Sequence, residues 1–234
     1  MTSLKRIVLS ALASLALVAG AAAPAHAASV SFDVTKLTAK NIVVKSSSCY
    51  NTTVTMSHKK SGVGSWDVTT DITKGGAIPD TVFYSSSGNT KTAKSQICPW
   101  SNADYGTYRI GPSSIWADAS RGYDYVSRDD FTKGSFSVRA HVKTGLTAKR
   151  KGLKVTLTAT AKRYSVDAWG YTTYRPKKAK FQVKSGSTWK TVKTVDLKKG
   201  KATHTVKSSK AKSYRFVTAT TSTSASSTSK TVKK

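Results

Sequence analysis

Apolar residues in this chain recur at every second position in short runs, and that period admits extended strands while excluding helices as the main building unit. Trp66, Val68, Thr70 and Ile72 alternate with Asp67, Thr69 and Asp71. Leu153, Val155, Leu157 and Ala159 alternate with Lys154, Thr156, Thr158 and Thr160, and Ala179, Phe181 and Val183 alternate with Lys178, Lys180, Gln182 and Lys184. Each run predicts a strand with an apolar inner face and a polar, largely basic outer face, as in antiparallel sheets packed on one side. Further strands are expected over residues 42–44, 52–58, 107–110, 136–139, 202–206 and 214–219, with Ser, Gly, Asn and Pro between them. About seven strands in each half make two β-sandwiches and an all-β fold. The join falls in residues 128–135, where Asp129, Asp130 and Gly134 separate the two strand-rich regions and offer a hinge. The predicted domains are 28–132 and 133–234, with a last edge strand in the Ser/Thr-rich end of the chain.

Lys5 and Arg6 precede an apolar run over residues 7–23, and Ala25-His26-Ala27 supplies small residues for cleavage, so residues 1–27 read as a signal peptide. No second apolar run approaches the roughly 20 residues of a membrane span. The expected location is extracellular, with retention at the cell envelope by charge. Two cysteines in an exported chain, Cys49 and Cys98, predict one disulfide.

Charge is distributed unevenly. Residues 136–234 hold 25 Lys/Arg against 2 Asp, whereas residues 28–135 hold 12 against 9. Solubility of a small domain needs a net charge of only about 2 to 8, so the second half exceeds that role and predicts attraction to polyanions. The densest cluster is Arg175, Lys177, Lys178, Lys180, Lys184, Lys190 and Lys193, the expected polyanion-binding residues. Trp169, Tyr171 and Tyr174 stand next to it as candidates for stacking on sugar rings or unpaired bases. Anionic cell-wall polymer, acidic polysaccharide and extracellular nucleic acid are the partner classes this chemistry suits.

The phrases Gly-Ser-Thr-Trp-Lys-Thr-Val-Lys-Thr (186–194), Lys-Gly-Lys-Ala (199–202) and Ser-Tyr-Arg (213–215) resemble bacterial immunoglobulin-like modules. The first half, with Cys49, Ile97-Cys98-Pro99 and Asp104-Tyr105-Gly106-Thr107-Tyr108, resembles the disulfide-bearing partner domain of secreted actinobacterial proteins with tandem immunoglobulin-like domains. Residues 104–108 are similar to a tyrosine corner, in which a phenol satisfies backbone groups at a strand entrance. Ile110 stands where antibody-type domains carry the second cysteine, so the bridge is expected to tie the loop before the second strand to a later strand or loop, not to pin sheet to sheet. The resemblance brings no catalytic residues.

Catalytic signatures are missing from the residues themselves. The chain has no Glu, no G-x-S-x-G elbow, no H-E-x-x-H and no phosphate-binding loop. His58, His141 and His204 are far apart in sequence, and Asp124, Asp129 and Asp130 lack the spacing of a calcium loop. The chain therefore reads as a non-enzymatic binding protein with no metal and no cofactor. Its alternatives are an adhesive spacer for a specific protein partner and a carbohydrate-binding module built on Trp169 and Tyr171.

Overall fold

The computed structural model describes residues 30–234. The segment read as a signal peptide lies outside the described residues.

The first half contains β1 (Ser31–Ala39), β2 (Ile42–Val44), β3 (Tyr50–Ser61), β4 (Val63–Lys74), β5 (Ala77–Ser85), β6 (Thr92–Ile97), β7 (Gly106–Ala119), β8 (Tyr125–Asp130) and β9 (Gly134–Ala140). One sheet has the order β1-β3-β6; the other runs β2-β9-β7-β4-β5, with β8 also paired to β7. The second half contains β10 (Val142–Lys151), β11 (Lys154–Ser165), β12 (Gly170–Thr173), β13 (Ala179–Ser185), β14 (Thr188–Val195), β15 (Lys201–Lys207), β16 (Ser213–Thr218), β17 (Ser227–Thr228) and β18 (Val232–Lys233). There β11 lies between β10 and β15 and also pairs β12, while β14-β13-β16 carries β17 and β18 at its far side. In each half one sheet holds the first strand, its antiparallel partner and one or two later strands, and the remaining strands form the other sheet. That connectivity is the immunoglobulin-like sandwich, and the expected all-β class is observed.

Alternation produces the faces as expected. Trp66, Val68, Thr70 and Ile72 are all buried, and the inward Thr70 hydroxyl is satisfied by Ser113 Oγ at 2.8 Å. Phe32, Val54, Tyr84 and Ile110 complete the first core, and Val155, Leu157, Phe181, Tyr214 and Phe216 form the second. Leu153 departs from the pattern: it sits in the turn between β10 and β11 and is 62% exposed. The expected last edge strand forms in two short pieces, β17 and β18, both bonded to β16.

The expected join needs correction. β9 pairs in parallel with β2 and antiparallel with β7, so residues 134–140 belong to the sheet of the first half, and a cut at 132/133 would sever them from it. The strand can pass close to β1 because Gly134 has no side chain: a Cβ there would lie 2.2 Å from the Leu37 carbonyl oxygen. Asp129 and Asp130 are not a loose hinge either. Asp130 is buried and accepts from the Val34 and Thr132 amides at 3.0 and 2.9 Å. Burial alone would raise its pKa, but these bonds and Arg128 outweigh it and hold the carboxyl below the usual range.

Cys49 and Cys98 form a disulfide. Cys49 precedes β3 and Cys98 follows β6, next to the Tyr50↔Ile97 pair, so the bridge extends a strand pair within one sheet, as the displaced cysteine spacing predicted. With a sequence separation of 49, replacing both cysteines by serine should cost about 4 kcal/mol on the loop-entropy account. Denaturant unfolding of the double variant against the oxidised parent measures this.

Candidate functional site

The seven cations expected to act together do not share one surface. Lys180 and Lys184 lie on the outer face of β13, where Arg215 joins them: its guanidinium lies 4.3 Å from the Trp189 ring and donates to Gln182 Oε1 at 2.7 Å. Lys193 and Lys190 instead pair with Phe181 and Val183, the core-side positions, and stay exposed because β14 is a sheet edge. A bulge between Phe181 and Gln182 separates these registers. Arg175, Lys177 and Lys178 are exposed on the connection from β12 to β13. Lys178 takes a left-handed backbone (φ 53°), and its amide donates to Asp196 at 2.7 Å, so that position serves a turn.

A more coherent cationic surface lies on the opposite sheet. In β11, Val155, Leu157, Ala159 and Ala161 are buried, which turns Lys154, Thr156, Thr158, Thr160 and Lys162 outward. Direct antiparallel partners share a face, so the register aligns Lys151-Lys154-Lys207, Lys149-Thr156-Thr205, Thr147-Thr158-Thr203 and Gly145-Thr160-Lys201 in successive rows across β10, β11 and β15. The lysines of these rows are exposed, and no carboxylate interrupts them. Thr156 and Thr205 hydroxyls meet at 3.3 Å, and Thr147 donates to the Thr158 carbonyl at 3.4 Å. Sequence density pointed elsewhere, but a signal was present: Lys201-Ala-Thr-His-Thr-Val-Lys207 repeats the lysine–threonine alternation of residues 154–162.

The three aromatics expected to stack on a ligand are separated. Trp169 is 78% exposed in the turn between β11 and β12, with φ 52°. Tyr174 packs against the second core, with Arg163 5.6 Å from its ring. Tyr171 packs against the first core, meets Tyr164 edge-on, carries Lys143 Nζ 3.8 Å from its ring centre and bonds His141 Nδ1 through its hydroxyl at 2.8 Å. Its ring is committed to the junction between the halves. The exposed aromatic pair lies on the first sandwich instead, where Trp116 stacks on Tyr125 with centroids 5.5 Å apart and donates through Nε1 to Asp118 at 3.0 Å.

The junction is a bonded structure. Tyr164 and Val166 are buried in the first core. Asn102 Nδ2 donates to Ser165 Oγ and Asp167 Oδ2 at 2.8 and 2.6 Å, its Oδ1 accepts from the Val166 amide at 3.1 Å, and its own amide donates to Asp167 at 3.0 Å. Tyr108, two residues before Ile110 and so the expected corner phenol, stacks on Phe136, and it is the Tyr105 hydroxyl that donates to a backbone carbonyl, that of Tyr164 at 3.3 Å across the junction. Burial raises both phenols to about 12. On another side, Ala140 exchanges backbone bonds with Thr223 and Ala225 at 2.9 Å each.

These contacts also account for the acids of the second half. Asp167 holds the junction and Asp196 holds a turn, on separate elements. Among the described residues no three His, Cys, Asp or Glu side chains converge as metal ligands, and no helix is long and apolar enough to cross a membrane. Asp129 accepts from Ser114 and Asp130 from backbone amides, so the acids near the expected join serve separate contacts.

No protein-family model and no curated protein matches the chain. Among solved structures, the D0-D1 domain of intimin is similar over 86% of this chain and 97% of that one, at 15% identity and TM-score 0.27. The human OSCAR ligand-binding domain is similar over 87% and 96%, at 13% identity and TM-score 0.28.

Asn102→Ala removes the side-chain bonds to Ser165, Val166 and Asp167 and should cost about 1 to 3 kcal/mol, with faster hydrogen exchange at the Val166 amide. The histidines supply a pH dependence. Burial first, then neighbouring lysines, lower the pKa of His58 (Lys60, Lys91), His141 (Lys143, Lys45) and His204 (Lys193). The unfolded chain takes up these protons near pH 6.5, before the folded chain does. Stability should thus be full above that pH and fall as pH drops from about 6.5 through the lowered folded values. Melting temperatures between pH 7.5 and 5 should decline, and less so in His58→Gln; an unchanged slope would contradict this assignment.

Proposed function

We propose that this is an exported, non-enzymatic binding protein that associates with anionic polymers of the cell envelope or extracellular matrix through its second immunoglobulin-like unit. The formed disulfide accords with an oxidising location. We divide the units at Ala140–Val142, where β9 ends and β10 begins. The observation that carries the reading is the unpaired state of the cations. Among the described residues, ion pairs within 4.0 Å involve only Arg128 with Asp33 and Asp130, all in the first unit, while residues 142–234 hold 24 Lys/Arg against 2 Asp. Cations without internal partners attract phosphate, sulfate or carboxylate through an unneutralised field.

Lysine ammonium groups act as point charges without the fork geometry of arginine, which favours avidity for many anionic groups over shaped recognition of one. A second reading, adhesion to a specific protein, is favoured by the exposed Trp116–Tyr125 pair, because aromatic side chains are enriched at protein interfaces. Salt separates the two. Binding through six to ten phosphate contacts should weaken by about three to five orders of magnitude between 50 and 200 mM salt, as measured on immobilised polyanions. Retention that ignores salt and is lost in Trp116→Ala would establish the second reading in its place.

A further inference from the structure

We propose that the outer face of β10, β11 and β15 is the docking surface, and that its ligand is a linear anionic polymer bearing hydroxyl groups between its charges, of the polyol-phosphate or sugar-phosphate class. This rests on the polyanion reading above and assigns it a face and a chemistry. Lys149, Lys151, Lys154 and Lys207 gather at one end of the face, and Lys162 and Lys201 stand towards the other. Lys154 and Lys162 are eight residues apart on one strand, a span of about 26 Å at ~3.3 Å per residue. Between the ends lies a floor of hydroxyls from Thr147, Thr156, Thr158, Thr203 and Thr205.

Two features make this face more than a solvated surface. Lys151, Lys154 and Lys207 are direct cross-strand partners in one row, and like charges placed opposite each other on a sheet are destabilising. A surface shaped only for solubility would intersperse both signs, yet both acids of this half are used elsewhere. The threonine floor then selects among polyanions. Each hydroxyl both donates and accepts, which suits a chain whose repeats alternate anionic groups with hydroxyls. The rows contain no aromatic ring on which a base could stack, and a face three strands wide is broader than the two-stranded ribbon a major groove admits, so nucleic acid would gain only the charge contacts.

The test uses the full chain and three probes: poly(glycerol phosphate), inorganic polyphosphate, which has charge without hydroxyls, and duplex DNA. The face variant is Lys149→Glu with Lys154→Glu and Lys207→Glu; the control, with the same change of charge, is Lys177→Glu with Lys180→Glu and Lys184→Glu. Losing three phosphate contacts should weaken poly(glycerol phosphate) binding by about a hundredfold at 0.1 M salt in the face variant and by much less in the control. Thr156→Val with Thr158→Val and Thr203→Val should weaken poly(glycerol phosphate) binding while leaving polyphosphate binding unchanged. If the glutamate variant does not fold, as read by its melting curve, Lys→Gln at the same three positions replaces it. Equal losses in the face and control variants would overturn the face while leaving the polyanion reading intact. Equal or tighter binding of polyphosphate or DNA would overturn the hydroxyl-bearing ligand. Parent protein that binds none of the three probes at low salt would overturn this inference together with the polyanion reading.

Discussion

The register of β11 against β10 and β15 determines both what the second sandwich buries and what it shows. Side chains on a strand alternate with a period of two, so the pairing that sends Val155, Leu157, Ala159 and Ala161 inward also sends Lys154, Thr156, Thr158, Thr160 and Lys162 outward. A slip by one residue would exchange the two sets and carry ammonium groups into a core lined by Phe181, Tyr214 and Phe216. Each buried, unpaired ion would cost several kcal/mol, so core formation and presentation of the cationic face are one event.

The same strand connects that face to the first sandwich. β11 ends at Ser165, and Tyr164 and Val166 at its end belong to the first core, where Asn102 bonds Ser165, Val166 and Asp167 in succession. Asn102 suits this position because its amide offers donors and an acceptor at once, matching a hydroxyl, a carboxylate and a backbone amide. The return segment through Thr223 and Ala225 bonds Ala140 from another side. Segments distant in sequence thus converge on the short connection between β9 and β10, which explains how so brief a link can hold two large bodies in a defined relation.

Strand positions were legible in the sequence wherever one face is apolar, as in 66–72 and 179–183, because burial imposes the period directly. The site was less legible for physical reasons. Lysine density along residues 175–193 suggested a cluster, but a bulge beside Phe181 and an edge strand distribute those lysines over different surfaces. The rows of the opposite face join Lys151 and Lys154 to Lys207, and such distant pairing follows from tertiary register that local composition does not encode. Residues 134–140 carried the pattern of a strand without indicating which sheet would claim it, and parallel pairing with β2 decided that. Tyr171 and Trp169 looked equivalent by residue type; packing against Tyr164 and His141 commits the first to the junction and leaves the second in solvent.

Charge segregation has an energetic meaning of its own. In the first half acids and bases are nearly balanced, and Arg128 bridges Asp33 and Asp130. In the second half the two carboxylates are drawn away to a junction and a turn, so no local anion relieves the row of Lys151, Lys154 and Lys207. Cross-strand neighbours lie about 5 Å apart, well inside the ~10 Å Debye length at 0.1 M salt, and mobile ions screen them only in part. The hydrophobic core beneath must therefore hold the sheet against that repulsion; under the proposal above, a polyanion that binds the folded face and not the unfolded chain would relieve it and stabilise the fold through linkage.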